Sequence, residues 1–291
     1  MFSKLKVLFL ALMGEAVKLA CRLGVLRQRQ GVNQTEKRKQ RVIVSLTSYG
    51  RRVNDVVSFT IISLLRQTYK PDEIVLWLDH DHWNDQNLPT SLIRLKTYGL
   101  TVRYCKDIKS YKKLIPALHA YPDSLIITCD DDIYYRSNMV ERLIRAYEQD
   151  PSCIYTHRAH LVSFDSQDKL LPYNDWKEEI SATSSRVFPT GVGGCLYSLQ
   201  LLHEDIDRED LFMSLAPMAD DVWFYFMELL KGTPRCALPY KGYIFIPLDV
   251  FYQFLHKDSN LSNTNCKESQ NDVQIRNVMN HYGLTDRDLM E

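Results

Sequence analysis

From Arg41 onward, short apolar runs alternate with longer segments whose apolar residues recur at helical spacing. The short runs are rich in β-branched residues, which is typical of strands buried on both faces of a parallel sheet. The longer segments carry one apolar stripe each, which is typical of helices that cover such a sheet. The pattern predicts strands at Val42–Leu46, Ile74–Leu78, Leu100–Tyr104 and Leu125–Ile127, and helices at Asn54–Gln67, at Leu88–Tyr98 and from Ser110 to the residue before Pro122.

The second half of the chain continues this alternation less regularly. Asp150 and Pro151 stop one helix, and Gly232 tolerates the left-handed backbone that ends another. These signals predict helices at Met139–Tyr147, from Ala219 to Lys231 and at Asn271–Tyr282, and strands at Cys153–Tyr155 and Tyr243–Pro247. We therefore expect an α/β fold with a mixed, mostly parallel sheet that is flanked by helices.

Residues 3–29 have a different pattern from the rest of the chain. On a helix, Leu8 and Leu12 fall on one side, while Lys18 and Arg22 fall on the other. Charged residues interrupt the apolar run, so it is too broken for a span of about 20 apolar residues. The pattern indicates an amphipathic basic helix. Such a helix would lie on an anionic membrane surface, or pack against the protein body or a second subunit.

Charge is unevenly distributed, although the formal net charge of the 291 residues is zero. Residues 1–41 hold ten Lys or Arg and two Glu, a net charge of +8, and the remaining 26 basic and 34 acidic residues give −8. An acidic body argues against nucleic-acid binding. The seven cysteines include no C-x-x-C pair, which favours a reducing cytoplasm over a disulfide framework or a zinc site.

Three adjacent carboxylates, those of Asp130, Asp131 and Asp132, follow the apolar run Leu125–Ile127 where its strand would end. Open α/β sheets bind their ligands beyond the carboxyl ends of the strands. A divalent cation would relieve the repulsion between these acids, and it could clamp the phosphates of a nucleotide. The alternative is that the acids cap the helix that begins near Ser137.

Four stretches, in this order, resemble one known group of enzymes. Arg41–Arg52 is similar to a first strand with its nucleotide-binding loop, and Leu64–Asp79 to the segment S-L-x-x-Q-T-Y-x-P-x-E-I. Asp130 with Asp132 resembles an Asp-x-Asp metal motif, and Ala219–Trp223 lies where this group carries an acidic pair facing the acceptor. From about residue 41 to about residue 256 the chain thus resembles bacterial glycosyltransferases of the GT-A fold, family 2-like and of the capsule or surface polysaccharide type.

The resemblance implies a division of the chain into three parts. Residues 41–258 would form a GT-A type, Rossmann-like catalytic domain with a mixed, mostly parallel sheet. Its nucleotide-binding half would be 41–135 and its acceptor half 136–258. Residues 1–40 would then be the amphipathic helix and a linker, and 259–291 a C-terminal tail and helix.

The resemblance also implies roles for individual side chains. A metal ion, Mn2+ or Mg2+, would be held by Asp130, Asp132 and His256. If the enzyme inverts, the base that takes the proton of the acceptor hydroxyl would be Asp221, with Asp220 as the alternative; a retaining enzyme would need no such base at this place. The nucleotide diphosphate sugar would be bound by residues of the loops that follow the strands, namely Thr47, Tyr49, Arg51, Asp79, Lys113, Asp130, Asp131, Gly193 and Gly194.

Structural alternatives stay open for several polar residues. Asp79 could cap a turn, because it directly follows a predicted strand. Lys112, beside Lys113, is interpreted as a solvated surface lysine. His157 and His160 are common polar residues, for which a structural or acceptor-side role is preferred to metal binding.

The expected reaction is transfer of a sugar from a nucleotide diphosphate sugar to a hydroxyl of a glycan or a lipid-linked saccharide. The enzyme would be cytoplasmic, with peripheral contact to the inner face of a bacterial membrane through residues 3–29. Asp165–Ser185, which contains Tyr173 and Trp176, would be a mobile acceptor-binding loop, because aromatic faces suit sugar rings. Two alternatives stay open. One is a sugar-1-phosphate nucleotidyltransferase, although Ser48–Arg52 matches its Gly/Arg/Lys-rich signature poorly. The other is a non-catalytic module that binds a sugar nucleotide or a glycan.

Overall fold

The computed structural model describes residues 2–26, 29–178, 180–239, 245–255 and 269–290. Its helices are α1 (Phe2–Arg22), α2 (Arg52–Asp55), α3 (Val57–Leu65), α4 (Thr90–Lys96), α5 (Ile115–Ala120), α6 (Met139–Gln149), α7 (Glu209–Leu215), α8 (Asp220–Lys231), α9 (Val250–Leu255) and α10 (Gln270–Tyr282). Its strands are β1 (Val42–Thr47), β2 (Glu73–Asp79), β3 (Leu100–Cys105), β4 (Leu125–Cys129), β5 (Ile133–Tyr135), β6 (Ile154–Thr156), β7 (Ala159–Leu161), β8 (Lys177–Glu178), β9 (Thr183–Ser184), β10 (Val187–Pro189), β11 (Cys195–Tyr197), β12 (Arg235–Ala237) and β13 (Phe245–Pro247).

The largest sheet among the described residues has eight strands in the order β3-β2-β1-β4-β11-β6-β12-β9. The first four strands in this order are mutually parallel, and β6 is parallel to β12. Strand β11 is antiparallel to both of its neighbours, and β9 is antiparallel to β12. This arrangement confirms the predicted mixed, mostly parallel sheet with helices packed on its faces.

Alternate residues of the central strands face two different hydrophobic cores. Val44 of β1 and Ile127 of β4 belong to the core that also contains buried residues of α3 and α6. Ile43 and Ile126 belong to the core that contains buried residues of α5 and α8. Burial on both faces explains why these strands read as continuous apolar runs in the sequence.

The chain changes direction across the sheet between β1 and β4. It moves from β1 to β2 and β3 on one side, and then places β4 on the other side of β1. In open α/β sheets, ligands bind in the crevice outside the carboxyl ends of the strands at such a topological switch point. Leu46, near the end of β1, is paired with Cys129, the last residue of β4. The loop after β1 and the three acids after β4 therefore leave the sheet side by side.

Three helices are shorter than the sequence predicts. The one predicted from Ser110 becomes a 3₁₀ helix, Lys109–Lys113, followed by α5. The predicted helix Asn54–Gln67 is interrupted at Val56, whose φ of −127° separates α2 from α3. Neighbouring β-branched residues at this point lower the preference for continuous helix. The predicted helix Leu88–Tyr98 starts later, because Pro89 is the N-cap of α4 and disfavours helical backbone before it.

The C-terminal half follows its predicted signals where the structure describes it. Helix α8 ends at Gly232, which has a φ of +73° and supplies the left-handed C-terminal residue. The predicted strand Tyr243–Pro247 is present as β13, which pairs antiparallel with β5 in a separate two-stranded sheet. Residues 243 and 244 and most of the segment Ser259–Gln270 lie outside the described residues.

The predicted acceptor loop Asp165–Ser185 is partly built into sheets. It contributes β8 to a three-stranded sheet with β7 and β10, and β9 to the edge of the large sheet. Trp176 is buried, and its ring lies 5.4 Å from that of Phe188. Packing against the core therefore covers the ring of Trp176, while acceptor binding by this segment stays a prediction.

Helix α1 lies against α3, α9 and β13 through small residues. Ala11 and Cys21 are buried, and a Cβ added at Gly14 would lie 2.5 Å from the Pro247 carbonyl oxygen. Residues of this size allow the helix axis to approach the body closely. Among the described helices, none combines the length and the apolar character that crossing a bilayer requires.

Candidate active site

Lys113 is the centre of a compact charged group at the topological switch point. Its Nζ lies 2.8 Å from Asp220 Oδ2, 3.1 Å from Asp130 Oδ1 and 3.9 Å from Asp221 Oδ1. We call these four residues the acid–lysine cluster. Although burial opposes protonation, the three carboxylates raise the pKa of Lys113 well above its ordinary value, so the lysine stays charged. One cation among three carboxylates leaves an excess of negative charge.

The residues of this cluster come from three elements, and the local sequence explains their positions. Lys113 is the last residue of a 3₁₀ helix, Lys109–Lys113, and Pro116 in the first turn of α5 prevents a continuous helix through this point. Asp130 follows β4 directly, and Asp220 and Asp221 form the first turn of α8. Carboxylates at a helix N-terminus are stabilised by the helix dipole.

The two acids of α8 have different environments. The side chain of Asp220 is 11% exposed and pairs with Lys113, whereas that of Asp221 is 31% exposed. Both Asp221 oxygens accept the Gly191 N–H at 3.2 Å. Burial raises the pKa of Asp221 to about 7, with Lys113 opposing the shift and Asp220 adding to it. An accessible carboxylate that titrates near neutral pH suits a general base, so the geometry favours Asp221 over Asp220.

The raised pKa of Asp221 predicts a pH dependence of stability. Between about pH 4 and the folded pKa of about 7, the folded protein keeps a proton that the unfolded chain has lost. The free energy of unfolding should therefore fall as pH rises through this range. We expect Asp221→Asn to be more stable than the wild type at pH 8, by on the order of 1 kcal/mol, and about equal at pH 4. Urea unfolding at both pH values measures this, and an equal loss at both would contradict it.

The glycines of the segment 191–194 have different neighbours, and the one beside the acid–lysine cluster is not one of the two that were predicted to bind the donor. A Cβ at Gly191 would lie 2.7 Å from Lys113 Nζ and 3.1 Å from Asp221 Oδ1. A Cβ at Gly193 would meet the Arg158 backbone nitrogen at 2.7 Å, and one at Gly194, where φ is +84°, would meet Met139 Sδ at 3.0 Å. Gly191 is thus the glycine that borders the acid–lysine cluster, and the sequence interpretation overlooked it although it belongs to the same motif. Donor binding by Gly193 and Gly194 stays a prediction.

Substituting these glycines should separate activity from stability. We expect Gly191→Ala to lower turnover about tenfold or more, because the new methyl displaces Lys113 and the N–H that orients Asp221. Gly194→Ala should instead cost about 1–2 kcal/mol of unfolding free energy, because alanine disfavours its positive φ. Turnover measurements and urea unfolding of both variants provide the check. Equal effects of the two variants on both measurements would contradict this division.

A second charged group surrounds Arg52. Its guanidinium lies 2.9 Å from Asp131 Oδ1, 3.1 Å from Asp132 Oδ2 and 3.3 Å from Asp249 Oδ2. Ser48 Oγ donates to Asp131 Oδ2 at 2.5 Å. We call Arg52 and these three acids the arginine cluster. Arg52 belongs to the loop predicted to bind the nucleotide but was not itself chosen as a site residue. Asp249 was missed, and the strand-end rule does not apply to it, because β13 pairs antiparallel with β5 in a separate sheet.

The triplet acids therefore divide between two clusters. Asp130 joins Lys113, while Asp131 and Asp132 join Arg52. Gln253 of α9 donates to Asp132 Oδ2 at 3.2 Å. Burial raises the pKa of Asp132 to about 7 against the influence of Arg52. Asp132 thus remains short of positive charge in the structure, whereas Asp131 is held by both Ser48 and Arg52.

The oxygen donors of Asp130 and Asp132 fit a hard cation such as Mg2+ or Mn2+ in chemical type. Within the ranges that the structure describes, no three His, Cys, Asp or Glu side chains form a group that could hold a metal ion by themselves. Mg2+ sites that act on phosphates use one or two carboxylates and complete their coordination with substrate oxygens and water. Asp130 and Asp132 have the right donor atoms for a site of this kind, and in this structure they pair with Lys113 and Arg52, respectively. His256, the third predicted ligand, lies outside the described residues.

The loops after β1 and β2 present the other predicted donor residues. Tyr49 is exposed at the switch point, whereas the Thr47 hydroxyl donates to the Trp77 carbonyl at 2.9 Å. Arg51 is engaged by Asp249 at 2.5 Å and by the ring of Tyr252. Donor binding by these residues stays a prediction, and Tyr49 has the most accessible side chain among them.

Asp79 has the geometry of a turn cap. It is buried, and one of its oxygens accepts the backbone N–H of His82 at 2.9 Å and contacts His82 Nδ1 at 2.5 Å. Asp79 therefore caps the turn, as the structural alternative predicted, and its binding of the nucleotide base or ribose stays a prediction.

Lys112 differs from its prediction: it is buried and paired with Asp107, because the 3₁₀ helix turns its side chain inward. The solvated-lysine interpretation is wrong.

A cleft of about 310 Å³ opens beside the acid–lysine cluster. Its walls combine acids of the cluster with polar and aromatic side chains, including Asp130, Asp221, Arg158, His160, Tyr173 and Asn271. The ring of Tyr173 lies 5.2 Å from that of His160. Burial lowers the pKa of His160 to about 4, so the ring is neutral at physiological pH. The cleft thus offers an aromatic face and neutral polar groups next to Asp221.

Comparisons with known proteins give remote likenesses. No family model matches the chain, and no curated protein sequence matches it. A solved CMP:2-keto-3-deoxy-manno-octonic acid synthetase complexed with CTP aligns with 77% of this chain and 100% of its own, at 12% identity and a TM-score of 0.43. The mannosyltransferase PcManGT from Pyrobaculum calidifontis, in complex with GDP-Man and Mn2+, aligns with 50% of this chain and 46% of its own, at 16% identity and a TM-score of 0.34. The interpretation of the site therefore depends on its own residues.

Proposed function

We propose that the protein is a glycosyltransferase of the family 2-like, surface polysaccharide type, which moves a sugar from a nucleotide diphosphate sugar to an acceptor hydroxyl. The observation that carries the proposal is the convergence of Asp221, Lys113 and Asp130 at the topological switch point. Transfer with inversion at the sugar carbon needs a base for the proton of the hydroxyl and positive charge at the departing diphosphate. The Asp221 carboxylate lines the cleft, and the buried ammonium of Lys113 lies 3.9 Å from it.

Donor binding would use the loops beyond β1 and β4. Tyr49 is an exposed aromatic residue that can stack on the nucleotide base. Asp130 and Asp132 would hold Mn2+ or Mg2+, and the bound cation would stabilise charge on the diphosphate. Lys113 lies within reach of Asp130 and would add a second positive charge on the same side.

Acceptor binding would use the cleft on the other side of Asp221. Tyr173 offers an aromatic face for a sugar ring, and Asn271 and the neutral His160 suit hydroxyl groups. The acceptor would thus be a glycan or a lipid-linked saccharide. In this arrangement Asp221 accepts the proton of the attacking hydroxyl, and Gly191 holds the carboxylate in position through its N–H.

The nucleotidyltransferase alternative requires the arginines of the first loop to exchange their present partners for phosphates, as the present proposal requires of Lys113. An enzyme of that kind needs cationic side chains in this loop for the phosphates of a nucleoside triphosphate. Here Arg51 is engaged by Asp249, and Arg52 is shared by Asp131, Asp132 and Asp249. Both guanidinium groups therefore already have carboxylate partners.

Incubation with a panel of nucleotide sugars and Mn2+ tests the proposal. Slow, EDTA-sensitive release of a nucleoside diphosphate is the expected result, and Asp130→Asn should reduce it about tenfold or more. Asp123→Asn, a change in an exposed acid just before β4, is the matched control. Release of a nucleoside triphosphate that depends on pyrophosphate would overturn the proposal in favour of the nucleotidyltransferase. Binding without turnover would favour a non-catalytic module.

A further inference from the structure

Helix α1 turns its large apolar residues away from the protein. Leu8, Leu12, Leu19 and Leu23 are 53%, 62%, 54% and 71% exposed, and at helical spacing they form one stripe. The inward side carries Ala11, Gly14, Cys21 and the partly buried Val17, so the helix packs on the body without these four leucines. The sequence alone did not reveal this division between an inner and an outer apolar face.

This apolar surface is concentrated at one end of the molecule. Of the thirteen large hydrophobic residues exposed in the described chain, seven lie between Val7 and Val25, and Phe251 and Leu255 of α9 are two more. Helix α9 packs beside α1. Its Phe251 and Leu255 border the cavity that Cys21 and Arg22 of α1 also line. We call these nine residues the α1–α9 face; they are Val7, Leu8, Phe9, Leu12, Leu19, Leu23, Val25, Phe251 and Leu255. Scattered exposed apolar residues are ordinary, whereas a concentrated group marks an interaction surface.

The charge of the segment that contains α1 indicates the partner of this face. Residues 1–41 carry a net charge of +8, and the rest of the chain carries −8. Arg22 and Arg29 are exposed close to the leucine stripe in the sequence. An apolar stripe with adjacent cations fits the headgroup region of an anionic bilayer, where apolar side chains enter the acyl boundary and cations meet phosphates. An acidic body would be repelled by the same surface, so contact would be restricted to this end.

We propose that the α1–α9 face binds the surface of an anionic lipid bilayer, with α1 lying in the interface. Helix α9 also reaches the candidate active site. Its Gln253 donates to Asp132. Asp249, which directly precedes the helix, pairs with Arg51 and Arg52. Docking would therefore place the arginine cluster close to the membrane. The proposal stands on the exposed face and its charge, and it holds whether or not the donor chemistry is as proposed.

Flotation of the full-length chain with vesicles tests the proposal. The protein should float with vesicles of equal parts phosphatidylglycerol and phosphatidylcholine, and much less with phosphatidylcholine alone. Raising NaCl from about 50 mM to about 500 mM should release it, because screening weakens the attraction of surface charges. Leu12→Ser with Leu19→Ser should lower the bound-to-free ratio about tenfold or more. The matched control is Ile93→Ser with Val273→Ser, which removes two exposed apolar residues outside the face.

Three outcomes would overturn the proposal. The first is a wild-type protein that stays unbound with anionic vesicles, and the second is equal binding to both kinds of vesicle. The third is a concentration-dependent dimer that the leucine variant abolishes, without any flotation of the wild type; the face would then bind a second copy. Circular dichroism of the leucine variant establishes its folding. If it does not fold, the lipid and salt dependence of the wild type decides.

Discussion

Asp221→Asn is expected to lower the rate constant for sugar transfer by about 10²–10⁴-fold, which is the range that general-base catalysis supplies. Asparagine has nearly the same shape, and its side-chain oxygen can still accept the Gly191 N–H. It cannot take a proton from the acceptor hydroxyl. Donor affinity should stay within about threefold of the wild type, because the donor loops are unchanged.

Steady-state transfer kinetics and donor binding by calorimetry measure the two quantities separately. Asp210→Asn is the matched control, because Asp210 is also an acid in the first turn of a helix, α7, and it pairs with an exposed arginine, Arg208. It should transfer at the wild-type rate. If Asp221→Asn retained more than about a tenth of the wild-type rate, Asp221 would not be the base. A large effect of Asp220→Asn alone would reassign that role to Asp220.

The same substitution links function to stability. The wild type keeps Asp221 in a cluster with excess negative charge, and removing that charge should stabilise the protein at pH 8 as argued above. A variant that gains stability and loses turnover is the signature of a side chain placed for chemistry. If Asp221 served only a structural role, neutralising its carboxylate would instead lower the stability of the protein.

Local sequence signals were sufficient for the parallel part of the sheet but not for its strands β11, β12 and β9. The apolar runs predicted the four parallel strands because each strand is buried on both faces, and Asp130–Asp132 were recognised because they follow one of them. Gly232 was recognised as a helix stop because positive φ is a local requirement. Signals of this kind depend on a few neighbouring residues and can be read without the fold.

The composition of the charged clusters could not be predicted in this way. Lys113, Gly191 and Asp221 come from distant parts of the chain, and only the packing of α5 and α8 on the same sheet face brings them together. The division of the triplet between Lys113 and Arg52 likewise depends on tertiary structure. The carboxylate of Asp130 contacts Lys113, whereas those of Asp131 and Asp132 contact Arg52. A motif of three acids therefore does not define a single site.

The largest effect on stability is expected for Lys113→Met. Lys113 is buried and is the cation that contacts all three carboxylates of the acid–lysine cluster. Removing one partner of a buried ion pair typically costs about 3–5 kcal/mol, because the remaining charge stays buried without compensation. Methionine preserves most of the volume, so the loss reports charge more than packing. Urea unfolding at pH 8 measures the change.

Two further variants isolate this electrostatic cause. Lys112→Met removes the neighbouring buried lysine, whose partner Asp107 is half-exposed, so water can replace the pair and the cost should be about 1 kcal/mol. Adding Asp220→Asn to Lys113→Met removes a buried carboxylate and should restore at least about half of the lost stability. Equal losses for the two lysine variants, or no recovery in the double variant, would show that packing sets the cost. The proposal that Lys113 is held ready for a departing diphosphate would then lose its electrostatic basis.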